Sequence, residues 1–131
     1  MKALALWVFV WLTGAWAYAG WPSMKVNVPF EFIAGAERLP AGQYVISEVR
    51  ESVVSVQAQD RGASVAVLGN PIYTRDGEAP RMVFHKYGSH YVLKSVYSSV
   101  SGGITMLPSK VEKELKQVFG RPEVVALSVR G

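Results

Sequence analysis

The sequence predicts a mainly β fold: a small antiparallel barrel or sandwich of about seven to eight short strands with one C-terminal helix. Three observations predict it. Valine is abundant, with 18 of its 20 copies after residue 19, and β-branched side chains suit a pleated, half-buried surface. Apolar residues alternate at period two in short runs separated by Gly, Pro and Asp turn signals, the spacing of an all-β domain. Only the segment 109–119 departs from that rhythm, with apolar residues at helical spacing.

The first nineteen residues read as a signal peptide. Met1-Lys2 supplies a positive start, Ala3 to Leu12 an apolar run, and small residues follow. Two cleavage frames fit, Ala15-Trp16-Ala17 and Ala17-Tyr18-Ala19; cleavage after Ala19 is favoured because strand-like sequence then begins closely. The apolar run is too short to cross a hydrocarbon core, which needs about 20 residues. All four tryptophans (Trp7, Trp11, Trp16 and Trp21) lie at or before position 21. The expectation is an exported chain, periplasmic or extracellular, with residues 20–131 as a single domain and no transmembrane segment.

Composition narrows the classes further. A chain of 131 residues has room for one core. It contains no cysteine, so a lipid anchor at the cleavage site is excluded and the fold must hold without disulfides. The net charge of +4 is mild, and the charges alternate along the chain. That gives no basic block for nucleic acid or anionic lipid.

The strands follow in order. Met24, Val26, Val28, Phe30 and Phe32 alternate with Lys25, Asn27, Pro29 and Glu31, predicting one strand with one buried face. Pro29 lacks an N–H and marks an edge or a bulge. Gly35 to Gly42 reads as turn punctuation. Further strands are predicted over 43–49, 53–59 and 63–68, the last stopped by Gly69-Asn70-Pro71, with a short one at 72–74 before the Arg75–Pro80 loop.

Residues 81–98 form the clearest hairpin. Gly88-Ser89 suits a two-residue type II′ turn, pairing Tyr87 with His90, His85 with Val92 and Phe84 with Leu93. Met82, Phe84, Tyr91, Leu93 and Tyr97 then share a core face. Val83, His85, Tyr87, His90, Val92 and Lys94 share the other. Ser109 and Glu112 make a capping box for a helix over 109–119. Val111, Leu115, Val118 and Phe119 form its apolar stripe, and Gly120 and Pro122 close it. A last strand is predicted over 124–129.

Chemistry is sparse. His85 and His90 are the only histidines, and the hairpin places them diagonally on one face. Read functionally they are a metal or acid/base pair; read plainly they are amphipathic residues of a half-exposed ladder. Zinc takes three or four protein ligands, and no third His, Cys or well-placed carboxylate joins them, so no metal and no cofactor is expected. No G-x-S-x-G elbow and no phosphate-cradling glycine loop is present. Asp60 and Asp76 sit in turn sequences. Glu31 and Glu48 could pair as two carboxylates across the first hairpin, but pairing without a cleft or a raised pKa does not make an active site. The candidate surface patch is therefore His85, Tyr87, His90 and Lys94.

Val28-Pro29-Phe30-Glu31-Phe32 followed by Leu39-Pro40-Ala41-Gly42-Gln43-Tyr44 resembles the opening of a group of small exported β-rich proteins of soil acidobacteria. Val83-Phe84-His85-Lys86-Tyr87-Gly88, Tyr91-Val92-Leu93 and Leu107-Pro108-Ser109-Lys110 extend the likeness over most of the chain after residue 19. Val96-Tyr97 departs from it, since the group's pattern has an acidic residue and a tryptophan there. The shared motifs are those of strands and turns, and the resemblance transfers no functional residue.

The expected function is a non-catalytic binding or structural module whose partner is an envelope protein or a small ligand. The alternatives are a carrier with a hollow apolar interior and a hydrolase or metal-dependent enzyme using His85 and His90. A cleft bringing either histidine to a carboxylate or serine would favour the enzyme.

Overall fold

Pro29 divides what the alternation presents as one strand. In the computed structural model, which describes residues 23–60, 62–73, 79–98 and 102–129, strand β1 is Met24–Val28 and β2 is Phe32–Ala34. β1 pairs antiparallel with β4 (Gly42–Arg50), whereas β2 pairs with β3 (Glu37–Leu39) and runs parallel to β8 (His90–Tyr97). A proline cannot donate to a ladder, and at this point the chain crosses from one half of the sheet to the other. The expected signal segment 1–19, the last residue of the predicted short strand 72–74 and residues 75–78 of the predicted loop lie outside the described residues.

β5 (Val53–Ala58), β6 (Ser64–Ile72), β7 (Arg81–Tyr87), β9 (Gly103–Met106) and β10 (Glu123–Ser128) complete ten strands among the described residues. The main path of the sheet runs β1-β4-β5-β6-β9-β8-β2-β3, with β7 on β8 and β10 on β7. The sheet does not close, and this corrects the expectation of a barrel of seven or eight strands. β3 and β9 are strands where the sequence pattern predicts turns and connections, and β2 begins at the end of the predicted first strand; each has only three or four residues, too few for alternation to show.

β6 explains a second correction. Gly69-Asn70-Pro71 does not stop it. Residues 64–68 pair with β5, and residues 69–72 pair with β9. Pro71 is tolerated because β5 has already ended, so no second ladder asks for its missing N–H. Gly69 stands at the change of partner, where a Cβ would collide with the Thr105 carbonyl oxygen and the Ile104 side chain. Only glycine lets the two backbones approach this closely.

One hydrophobic core joins both halves of the sheet. Val26, Tyr44, Ile46 and Val56 from one half pack in the same cluster as Phe32, Phe84, Leu93 and Val96 from the other. Phe30 stacks on Tyr91 at 3.7 Å and meets Phe84 edge-on at 5.0 Å, while Phe32 meets Tyr44 at 5.2 Å and Phe84 at 5.5 Å. The Tyr44 hydroxyl donates to the Pro40 carbonyl, which satisfies the polar tip of a fully buried ring. The V-P-F-E-F and L-P-A-G-Q-Y motifs are therefore a packing hub. Glu31 forms an exposed ion pair with Arg38 at 3.0 Å, and Glu48 stands opposite Val54 on β4, so these two carboxylates have different partners.

Candidate functional site

The β7–β8 hairpin has the register its turn dictates: Tyr87 opposite His90, His85 opposite Val92 and Phe84 opposite Leu93. Gly88 has φ +61°, the value a type II′ turn requires at its first central position. Past Phe84 the ladder slips, and Val83 stands opposite Ser95. Lys94 is the extra residue of a β-bulge. Leu93 and Val96 both enter the core, so the bulge places Lys94 and Ser95 together on the other face. Val96, rather than the expected Tyr97, completes the core face; Tyr97 is half-buried against the Arg81 guanidinium, 4.0 Å from its ring centroid.

Helix α1 (Lys110–Phe119) lies over this outer face. Ser109 caps it, its hydroxyl accepting from the Glu112 N–H at 3.2 Å, and the Gly120 N–H closes it on the Lys116 carbonyl at 2.8 Å. Val111 and Leu115 pack on a small second cluster of Ile33, Tyr87 and Val92. The expected apolar stripe is only half used: Val118 is 75% exposed and Phe119 46%. Tyr87 is correspondingly not a half-exposed ladder residue; it is 2% exposed beneath the helix.

Glu112 is the residue that the sequence pattern did not single out as a site. It was legible only as the third residue of a capping box, yet it is 6% exposed and its carboxylate faces the sheet. Oε2 accepts a 2.9 Å hydrogen bond from the Tyr87 hydroxyl and lies 3.4 Å from His85 Nδ1. Oε1 lies 3.8 Å from the Lys94 ammonium, which also donates to the Met106 carbonyl at 3.4 Å. The His85 contact is within ion-pair range but is not directed as a hydrogen bond, and Nδ1 is buried without one. Glu112 lies in register with Leu115 and Phe119 at i, i+3 and i+7, inside the apolar arc; that was the available signal.

The electrostatics follow from burial. A buried carboxylate is costly unless paired, and here a phenol, an ammonium and an imidazole surround it. Tyr87 shows the reciprocal effect. Its pKa is pushed up to about 12 by burial first, then by the hydrogen bond to Glu112 and the negative charge there. The phenol thus keeps its proton at neutral pH and acts as a donor.

A cleft of about 370 Å³ opens above this network. His85, Tyr87 and Lys94 line it from the sheet, Glu112, Lys113 and Lys116 from the helix, and Pro108 and Pro122 at the two ends of the helix. Of the four patch residues, His85, Tyr87 and Lys94 meet here. His90 does not; its ring lies 5.8 Å from that of Phe119 at the hairpin tip, so the two histidines take different neighbours. No group of three or more metal-ligating His, Cys, Asp or Glu occurs among the described residues. A second cleft, of about 400 Å³, follows β1 between Lys25, Asn27, Gln43, Gln59 and Ser128. Lys25 is its only ionisable residue, so it offers less chemistry despite its size.

Fold and cleft together define a mainly β domain that carries a helix-roofed cleft on the outside of its sheet. Comparison with known proteins finds no match to a family model, a curated protein or a solved structure.

Proposed function

We propose that this chain is an exported, non-catalytic binding module and that the cleft over Glu112 is its ligand site. One observation carries the reading: an ionisable side chain buried at the floor of a cleft, where well-packed apolar residues would stabilise a fold equally well. The interlocked rings of Phe30, Phe32, Tyr44 and Phe84 argue against a hollow carrier, because they occupy the interior that a ligand would need. Export rests on the leader-like first nineteen residues and on the resemblance to exported acidobacterial proteins.

Heteronuclear NMR of the chain from Gly20 onward, titrated with a small-fragment collection, tests the site. Hits should shift the resonances of His85, Tyr87, Lys94 and Glu112 as a group. Hits confined to the β1 cleft, or none at all, overturn the reading. Intact-mass analysis after expression with the leader in a bacterial host tests export, with a polypeptide starting at Gly20 as the expected product.

A second reading is favoured by the 3.4 Å approach of His85 to Glu112, which puts an imidazole and a carboxylate together in one cleft, although without a directed hydrogen bond between them. It ranks below the first because the described residues lining the cleft include no serine, threonine or cysteine and the Tyr87 phenol is held protonated. Water would have to be the nucleophile. Turnover of a chromogenic phosphate, ester or glycoside that disappears in a His85→Ala variant would promote it.

A further inference from the structure

We propose that the cleft takes a small organic oxyanion, a carboxylate or phosphate ester attached to a compact apolar body. The inference rests on the cleft being the ligand site and adds the chemical class of what enters it. Four basic side chains line the cleft: His85 and Lys94 on the sheet, Lys113 and Lys116 on the helix. The only carboxylate among its lining residues is Glu112, and that group is already engaged by the Tyr87 hydroxyl at 2.9 Å and flanked by Lys94 at 3.8 Å. The positive charge of Lys113 and Lys116 is therefore in excess.

The geometry gives that excess a direction. An ammonium group has three donors. Lys94 spends one on the Met106 carbonyl at 3.4 Å and turns towards Glu112, which leaves donor capacity at the cleft floor. Lys94 follows core-facing Leu93, so ordinary alternation already puts its ammonium on the helix side of the sheet, and the bulge keeps Ser95 there beside it. Lys113 and Lys116 stand three residues apart and so flank one strip of the helix. Pro108 and Pro122 supply rigid apolar walls without donors of their own. Anionic at one end and apolar at the other is the ligand this lining complements. An exposed rim of lysines alone would be an ordinary solvated face; the difference is that these share a concave site with the partly buried Lys94 ammonium and His85 imidazole.

Three probes separate the possibilities on the chain from Gly20 onward: benzoate, phenyl phosphate and the neutral isostere benzamide, titrated by NMR at about 0.05 M salt and again at about 0.5 M. Benzoate or phenyl phosphate should shift the His85 and Lys94 resonances saturably, with benzamide at least about tenfold weaker, the scale of one charge-assisted hydrogen bond. Affinity should fall at the higher salt and drop about tenfold in a Lys113→Gln, Lys116→Gln double variant, whose changes lie on the exposed helix face and leave the fold intact. Equal binding of benzamide and benzoate, or anion binding that ignores the double variant, overturns the oxyanion assignment while leaving the cleft as a ligand site. Silence from all three probes while other fragments occupy the cleft also rejects the oxyanion alone; silence from every fragment rejects both.

Discussion

The Tyr87 hydroxyl donates to Oε2 of Glu112 across a sequence gap of 25 residues, and it is the one buried side-chain hydrogen bond that ties helix α1 to the sheet among the described residues. Around it the helix makes few other contacts. Val111 and Leu115 rest on Ile33, Tyr87 and Val92, and Phe119 in the last turn lies over the hairpin turn at Gly88 beside His90. The position of the helix, and hence the shape of the cleft, depends on this pair.

Alkaline titration reads that dependence directly. The Tyr87 pKa stands at about 12 in the folded chain against 10.0 for an ordinary tyrosine. Between those values the folded chain keeps a proton that the unfolded chain releases. Stability from this group is fully present below pH 10 and is lost as pH rises through 10 to 12, by about 2–3 kcal/mol. Urea denaturation at pH 8, 10 and 11 should show this slope, and Tyr87→Phe should flatten it. An unchanged slope in the variant would place the alkaline loss elsewhere.

Removing one partner at neutral pH should cost more than removing both. Glu112→Ala leaves the Tyr87 hydroxyl without its acceptor and Lys94 without its counter-charge, a loss of about 1–3 kcal/mol. Glu112→Leu combined with Tyr87→Phe removes the hydroxyl along with its acceptor and should cost about 1 kcal/mol less than Glu112→Leu alone, since Lys94 loses its counter-charge in both. A double-mutant cycle followed by urea denaturation should give a coupling of about 1–2 kcal/mol between the two positions. Simple additivity would mean that the 2.9 Å bond contributes nothing net.

The hairpin was legible because its register is local: Gly88-Ser89 fixes the pairing of Tyr87, His85 and Phe84 whatever the rest of the chain does. The bulge at Lys94 was not, because strict alternation fails there. Its trace is the spacing of three between Leu93 and Val96, both of which the core demands. Pro71 misled for a related reason. A proline stops a strand only where a ladder needs its N–H, and the sequence does not show where β5 ends. At the candidate site, His85, Tyr87 and Lys94 were visible from the face pattern of one hairpin. Glu112 was hidden, since its meeting with them depends on how a distant helix docks, and its cap role already accounted for it. His90 was grouped with them by face and stands directly opposite Tyr87, but its ring neighbours Phe119 rather than the cleft.

The cap itself should matter to the cleft as well as to the helix. Ser109→Ala removes the acceptor for the Glu112 N–H and should cost about 1 kcal/mol. The same N–H belongs to the residue whose carboxylate meets Tyr87, so the first turn should fray where the network is anchored. Faster amide exchange at Val111 to Lys113, with a shifted Tyr87 ring resonance, is the expected signature. Ser109→Asp keeps an acceptor at the cap and should restore both. If exchange rises and the Tyr87 signal does not move, the cap and the site are independent.

Gly88 offers a sharper test of how the far end of the helix is held. Its φ of +61° disfavours any residue with a side chain, and a Cβ there would lie 2.6 Å from Cε1 of Phe119. Two costs are thus superimposed in Gly88→Ala: the left-handed backbone, about 1–2 kcal/mol, and displacement of the ring that covers the turn. Phe119 is partly exposed, so its ring can swing away, and only the second cost depends on it. In a Phe119→Ala background the substitution should therefore cost less, by about 1 kcal/mol, leaving the backbone strain alone. His90, 5.8 Å from the same ring, provides the local probe: its imidazole resonances should move in Gly88→Ala and in Phe119→Ala alike. Equal costs in the two backgrounds, with a stationary His90, would show that Phe119 does not pack on the hairpin in solution and that the helix is held at its first two turns only.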